Sequence, residues 1–245
     1  KNKERYTLAF KEMLINTANV YNGSDAINAL NSGIGCDNGM VLIAGTGSAL
    51  FVRKDGEIIQ KGGWGYLLDD AGSGYDIGRR GFCAALRDYD GRGESTILSE
   101  LYSQHLGGPV YKFIPEIYQK GKQFIASFAP LVFEADSRKD KVAGSILDEC
   151  AAELALLVKA GAKHLTGSGE LYKVVLAGGL WKSKDALMNR FKSNLGKDFL
   201  LIQPELPPVY GAVVEALARA KKEYAVGEYI LTDGNFYKNF KNTLN

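Results

Sequence analysis

Apolar residues recur at two different spacings along this chain, and the changes of spacing mark its elements. Over residues 1–15 they fall near helical spacing (Tyr6, Leu8, Phe10, Met13, Leu14), which predicts an amphipathic helix. A short strand-like piece, Thr17 to Tyr21, precedes the polar turn Asn22-Gly23-Ser24 and a predicted helix over 25–32. Met40 to Ala44 is a continuous apolar run of the kind found in buried strands. Gly45-Thr46-Gly47-Ser48 then forms a tight loop, and Ala49 to Arg53 reads as a second strand. Asp55-Gly56 is a strong hairpin signal, and Glu57 to Lys61 completes a three-stranded meander.

Gly62-Gly63-Trp64-Gly65 turns the chain, and a helix is predicted to begin near Asp69-Asp70, whose carboxylates suit a helix start. Residues 94–106, 111–128, 137–163 and 183–194 read as mostly helical. Between the last two lies Tyr172 to Ala177, a buried strand that ends in Gly178-Gly179. Phe199 to Ile202 is another short strand, and Pro204, Pro207 and Pro208 interrupt the chain before a Gly/Ala-rich helix, Tyr210 to Tyr224. The tail, 228–245, is polar and aromatic. Three meandering strands followed by alternating helix and strand predict a mixed α/β sheet.

Composition narrows the function without defining it. The 245 residues are 46% hydrophobic, enough for one large domain or two lobes. Lys and Arg number 30 against 28 Asp and Glu, so the chain has no charge excess to attract nucleic acid or an anionic membrane. The apolar stretches are short or broken by Gly and charge, so none is read as a membrane span or a secretory signal. The cysteines, Cys36, Cys83 and Cys150, form no CxxC pair and no metal cluster with His105 and His164. They read as free thiols in a reducing cytoplasm.

Several loops carry residue types suited to chemistry. In Gly45-Thr46-Gly47-Ser48, small residues let backbone N–H groups surround a phosphate, and the hydroxyls add donors. Taken alone, the loop reads as well as a plain tight turn. Gly178-Gly179 stands where α/β proteins place nucleotide loops, with close packing as the alternative. Asp25, Asp69 and Asp70 are candidate carboxylates, and helix capping is the plainer role for each. Trp64 is either a core anchor or a flat platform for the C–H face of a sugar.

The order of these motifs is what identifies them. Ser24-Asp25-Ala26, Ile43 to Ser48, the stretch Gly62 to Gly78 and Gly178-Gly179-Leu180-Trp181 resemble the N-acetylglucosamine kinase and BadF/BadG-type ATPase family. That family belongs to the actin/hexokinase/Hsp70-like superfamily. Its pattern runs roughly ND-A, I-GTGS, GGWG, GDEGSGYW-G and a later GG-W. The resemblance implies an actin-like ATPase fold of two RNase H-like lobes with a sugar site at their cleft. The expected division is 1–36 as the remainder of the N-terminal lobe, 37–227 as the C-terminal lobe and 228–245 as a tail returning to the first.

The resemblance also implies an activity: ATP-dependent phosphorylation of the 6-hydroxyl of an amino sugar, N-acetylglucosamine first, with N-acetylmuramic acid or glucosamine sharing the pattern. ATP and Mg²⁺ are the implied cofactors. Asp25 is the implied catalytic base. Gly63, Trp64 and Asp70 would hold the sugar. Gly45, Thr46, Gly47 and Ser48 would contact the phosphates, and Ala135, Gly178 and Gly179 the adenosine. Homodimerisation is implied by resemblance only. The alternatives in the same superfamily are an ATP-driven activator of a radical dehydratase and a non-catalytic sugar sensor. Hinges are expected near Cys36 to Gly39 and near 226–229.

The sequence departs from the family pattern at four points. Asp69 replaces a Gly, Ala71 replaces a Glu, and Asp25 lacks the usual preceding Asn. The family's DGGGTKT-like opening hairpin does not occur, which implies that about 70 residues of the first lobe precede this stretch in relatives.

Overall fold

The protein, seen here in a computed structural model, is described over residues 2–13, 20–165, 171–182 and 185–224. These fall into two units, one of residues 1–37 and 204–245 and the other of residues 38–203.

The second unit is built on a five-stranded sheet. Its strands are β1 (Gly39–Ala44), β2 (Ser48–Lys54), β3 (Glu57–Lys61), β4 (Tyr172–Ala177) and β5 (Phe199–Ile202), in the order β3-β2-β1-β4-β5. The first three run antiparallel as predicted, with Ala44 opposite Ser48 and Lys54 opposite Glu57. Asp55 and Gly56 close the hairpin at positive φ (52° and 86°), the backbone twist that a two-residue hairpin turn requires. β4 lies beside β1 and parallel to it, with Met40 opposite Val174 and Leu42 opposite Leu176. Met40, Leu42, Ala44, Val174 and Leu176 belong to one continuous core, while Val41 and Val175, one residue out of phase, are also fully buried. A strand apolar on both sides is why the Met40–Ala44 run shows no alternation.

Helices of this unit are α3 (Gly74–Tyr89), α4 (Leu98–Leu106), α5 (Ile114–Ala126), α6 (Ala129–Ser137), α7 (Lys141–Ala162) and α8 (Asp185–Leu195). α7 packs directly on the sheet: a Cβ at its Gly161 would stand 2.4 Å from Leu50 and 2.8 Å from the Met40 sulfur. α3 crosses its neighbours just as closely. A Cβ at Gly78 would lie 2.1 Å from the Ile125 carbonyl oxygen, and one at Gly81 would lie 2.0 Å from the Tyr102 hydroxyl. Tyr102, Phe82 and Phe128 stack around that crossing with ring centroids 4.5–5.0 Å apart.

Two predictions are corrected here. The helix expected from Asp69-Asp70 begins at Gly74, and its N-cap is Ser73, whose hydroxyl accepts the Asp76 N–H at 3.2 Å. Asp70 and Gly72 have φ of 64° and 75°, which no helix tolerates, so the two carboxylates cap nothing. The stretch after 128 is a separate helix, α6, ending at a left-handed Lys139; α7 then starts with Asp140 as its cap.

The first unit contains α1 (Asn2–Met13), α2 (Asp25–Ile34) and α9 (Pro208–Tyr224). α2 and α9 meet so closely that a Cβ at Gly211 would lie 1.8 Å from the Asn28 carbonyl oxygen. Asn31, buried in this contact, donates to the Gly211 carbonyl and to Glu215. Helix α9, read from sequence as part of a lobe ending at 227, packs here against α2. Tyr6, Leu8, Phe10 and Met13 of α1 are exposed. The predicted strand at 17–21 lies mostly outside the described residues, and Val20 and Tyr21 are in no regular element. The tail 228–245 and the hinge expected at 226–229 also lie outside them.

Candidate functional site

The sheet topology gathers loops that are far apart in sequence. β1 and β4 are parallel neighbours, so Gly45 and Gly178 both follow their carboxyl ends. β2 starts at that edge and β3 ends there, which adds Ser48 and Gly62-Gly63. In an open α/β sheet this edge, at the carboxyl ends of parallel strands, is where ligands bind.

The Gly45–Ser48 loop is fixed from outside itself. The first backbone N–H groups of α3 are spent on it: Gly74 donates to the Gly45 carbonyl at 2.8 Å and Tyr75 to the Thr46 carbonyl at 3.2 Å. Those donors are the ones a helix start leaves without intrahelical partners. Gly45 N–H closes the turn on the Gly47 carbonyl at 2.9 Å, and the Ser48 hydroxyl donates to the Ala71 carbonyl at 2.8 Å. Three donors remain. Among the described residues, the N–H groups of Thr46 and Gly47 and the Thr46 hydroxyl have no partner. Small, open and ringed by unspent donors, the loop is chemically suited to an anion.

Gly178 and Gly179 separate on inspection. Gly178 has φ 104°, and a Cβ there would collide with the Ala44 carbonyl oxygen at 2.3 Å, so glycine is required by packing. Gly179 is exposed, and a Cβ there would meet nothing within 4 Å. Its N–H lies 3.9 Å from where a Gly45 Cβ would be, so the two glycine loops adjoin.

Gly63 also packs, with φ 74° and a Cβ position 2.6 Å from the Ala49 Cβ. Trp64 is 66% exposed, which removes the core-anchor reading. Its N–H donates to Asp69 at 3.3 Å. Tyr66, Leu67 and Leu68 continue this exposed apolar loop.

Asp70 is the buried carboxylate of the site, 4% exposed and held at a left-handed φ of 64°. One oxygen accepts the Ser48 N–H at 3.3 Å and the other accepts Lys122 Nζ at 2.6 Å. It therefore braces the Gly45–Ser48 loop. Lys122 was not expected from sequence. It follows Gly121, which breaks α5 with φ 66° and ψ −150°. The one available signal was an isolated Gly inside a helical pattern.

A second buried carboxylate, Asp76, supports this arrangement from below. It accepts from the Gly72 N–H at 3.1 Å, from Arg79 at 2.9 Å and from Arg80 at 3.0 Å, with the Cys150 thiol at 3.7 Å. Burial pushes its carboxyl up, but the Gly72 N–H and the two guanidinium groups outweigh burial and hold it below the usual carboxylate range. Arg80 reaches on to Glu149 of α7.

The remaining candidates come from other elements. Ala135 is fully buried in α6, in the helical core, and its carbonyl accepts the Arg138 and Asp140 N–H groups. Asp25 is in the first unit, exposed, at the first position of α2. Ser24 is the cap: its hydroxyl accepts the Ala26 N–H at 3.2 Å, while Asp25 accepts the same N–H at 2.9 Å. Capping therefore does not require Asp25.

The chain belongs to the BadF/BadG/BcrA/BcrD ATPase family, which matches residues 2–216. Among curated relatives it is 36% identical over 200 residues to an N-acetylmuramic acid/N-acetylglucosamine kinase of Clostridium acetobutylicum. That match covers 79% of this chain and 65% of the relative, so the chain spans just under two thirds of that protein. It is 29% identical to an N-acetyl-D-glucosamine kinase of Dictyostelium discoideum, across 86% of this chain and 69% of the other. Among solved structures, a Chromobacterium violaceum protein provisionally assigned as an N-acetylglucosamine kinase superposes with a TM-score of 0.69 at 24% identity. That superposition covers 86% of this chain and 70% of the other, and it shows that the two share a fold.

Proposed function

We propose that the protein acts as an ATP-dependent kinase of an amino sugar, transferring the γ-phosphoryl group of Mg-ATP to the sugar's 6-hydroxyl, with N-acetylglucosamine or N-acetylmuramic acid as the acceptor. The observation that carries this reading is the convergence at one sheet edge of the open Gly45–Ser48 donors, the exposed Gly179 N–H and the Gly62–Trp64 loop. The likeness to the clostridial kinase adds the substrate class.

In this reading the N–H groups of Thr46 and Gly47 and the Thr46 hydroxyl hold phosphate oxygens on which charge spreads during transfer. Gly179 lies under the nucleoside. Trp64 offers its exposed face to the sugar ring. Asp25, not needed as a cap, accepts the proton of the attacking hydroxyl, a contribution of about 10²–10⁴-fold. Mg²⁺ enters as part of the nucleotide substrate. Among the described residues no three His, Cys, Asp or Glu side chains form a metal cage. An ion carried on ATP phosphates and its own waters does not need one.

The test is sugar-dependent release of ADP, measured with N-acetylglucosamine, N-acetylmuramic acid, glucosamine, N-acetylmannosamine and glucose. The expected result is turnover with one of the amino sugars, lost by about 10²–10⁴-fold in Asp25→Asn without a change in melting temperature beyond a few degrees. ADP release that ignores the sugar, or an Asp25→Asn variant as active as the parent, overturns the reading.

A further inference from the structure

We propose that Lys122 is the cationic arm of the phosphate site, paired with Asp70 while the site is empty and turned onto the polyphosphate of the nucleotide when it is occupied; this rests on the nucleotide reading above. Lys122 Nζ is 2.6 Å from Asp70 Oδ2, and it stands only 2.8 Å from where a Cβ of Gly47 would be. The ammonium group is therefore seated against the loop residue whose own N–H is unspent. An anion held by that N–H lies within a short swing of a four-carbon stem.

Gly47 shows the same thing from the other side. Its φ is not in the left-handed region, so its backbone does not demand glycine. What a side chain there would strike is Lys122 Nζ at 2.8 Å and the two Asp70 oxygens at 3.0 and 3.1 Å. The missing side chain at Gly47 is the space the lysine uses.

Gly121 completes the device. It takes a conformation open only to glycine, yet a Cβ there would meet nothing within 4 Å. Its role is conformational: it breaks α5 one residue before Lys122 and so redirects that side chain. A lysine needed merely to neutralise a carboxylate requires no such break. The side-chain exposures fit a mobile partner, 29% for Lys122 against 5% for Asp70.

The experiment measures binding of AMPPNP and of adenosine to the protein by calorimetry, for the parent, Lys122→Met, Lys122→Arg and Asp70→Asn/Lys122→Met. The proposal expects Lys122→Met to weaken AMPPNP by about 10–100-fold while leaving adenosine, which has no phosphate, unchanged. Lys122→Arg is expected to recover most of the loss. The double variant is expected to stay weak, because removing the Asp70 charge does not restore a phosphate contact. Wild-type AMPPNP affinity in Lys122→Met overturns the proposal. So does recovery in the double variant, which would reduce Lys122 to a counter-ion. Equal loss of AMPPNP and adenosine also overturns it. A parent that binds AMPPNP but phosphorylates no sugar ends the amino-sugar reading and leaves the Lys122 comparison decisive.

Discussion

Gly178 and Gly179 are adjacent, alike in sequence and opposite in structural role, so substituting each by Ala separates packing from binding. At Gly178 a methyl group meets the Ala44 carbonyl oxygen at 2.3 Å and the Ala44 carbonyl carbon at 2.6 Å, contacts that only backbone movement relieves. The φ of 104° adds strain for any L side chain. Strain of about 1–2 kcal/mol and overpacking of about 1–3 kcal/mol give a destabilisation of about 2–5 kcal/mol. For a chain of this size that lowers the melting temperature by about 4–20 °C. At Gly179 the same methyl meets nothing within 4 Å, so the melting temperature should stay within about 2 °C of the parent. The added methyl would stand in the space proposed for the nucleoside, and AMPPNP binding should weaken by about tenfold or more. Thermal melts and calorimetry on the two variants decide it. A Gly178→Ala protein that melts like the parent refutes the packing argument. A Gly179→Ala protein that binds AMPPNP normally removes Gly179 from the nucleotide site.

Three further expectations follow from the same geometry. Asp76 has a carboxyl held below its ordinary value, so its ionised form stabilises the fold above about pH 4, and that contribution is lost as pH falls through the depressed value. Urea midpoints between pH 2 and 6 should therefore fall more steeply in the parent than in Asp76→Asn, and parallel curves would refute this. Ser73→Ala removes the cap of α3 and should cost about 0.5–2 kcal/mol in chemical denaturation; an unchanged midpoint would show that the loop carbonyls alone hold that helix start. Cys36 and Cys83 are exposed and Cys150 is buried beside Asp76, where burial pushes its thiol up. A thiol reagent should label Cys36 and Cys83 in the native protein and Cys150 only on unfolding, and rapid native labelling of Cys150 would contradict that burial.

The sheet was legible because its signals are local. The Met40–Ala44 run, the Asp55-Gly56 turn and the Tyr172–Ala177 run each announce a strand within a few residues. The helix boundary at 69–74 was not. Acidic residues before a helix resemble caps, and only the left-handed φ of Asp70 and Gly72 shows that the chain is still turning there. The break between α6 and α7 was hidden for a related reason. The left-handed residue that separates them is Lys139, a residue type that ordinarily continues a helix.

The site was legible only as far as motifs reach. The Gly45–Ser48, Gly62–Trp64 and Gly178-Gly179 loops could be picked out one by one, and the parallel pairing of β1 with β4 explains why three loops so far apart share an edge. What the sequence concealed are the groups that reach in from elsewhere. Lys122 comes from 52 residues beyond Asp70, and the Cys150 thiol that donates to Asp76 comes from 74 residues beyond it. Asp70 changes meaning once those partners are seen. Alone in the sequence it is a carboxylate for a sugar; in the structure one of its oxygens holds the Ser48 N–H of the phosphate loop and the other holds Lys122. If Lys122 turns to a nucleotide, one of those oxygens is released at the moment the phosphates arrive. Asp70 would then become available to an acceptor only after the donor has bound. That order is a kinetic statement, and it follows from the ion pair rather than from the motif: product-inhibition patterns should show ATP binding before the sugar in the parent and a loss of that order in Lys122→Met. Random order in the parent would mean that Asp70 serves the loop throughout and never the sugar.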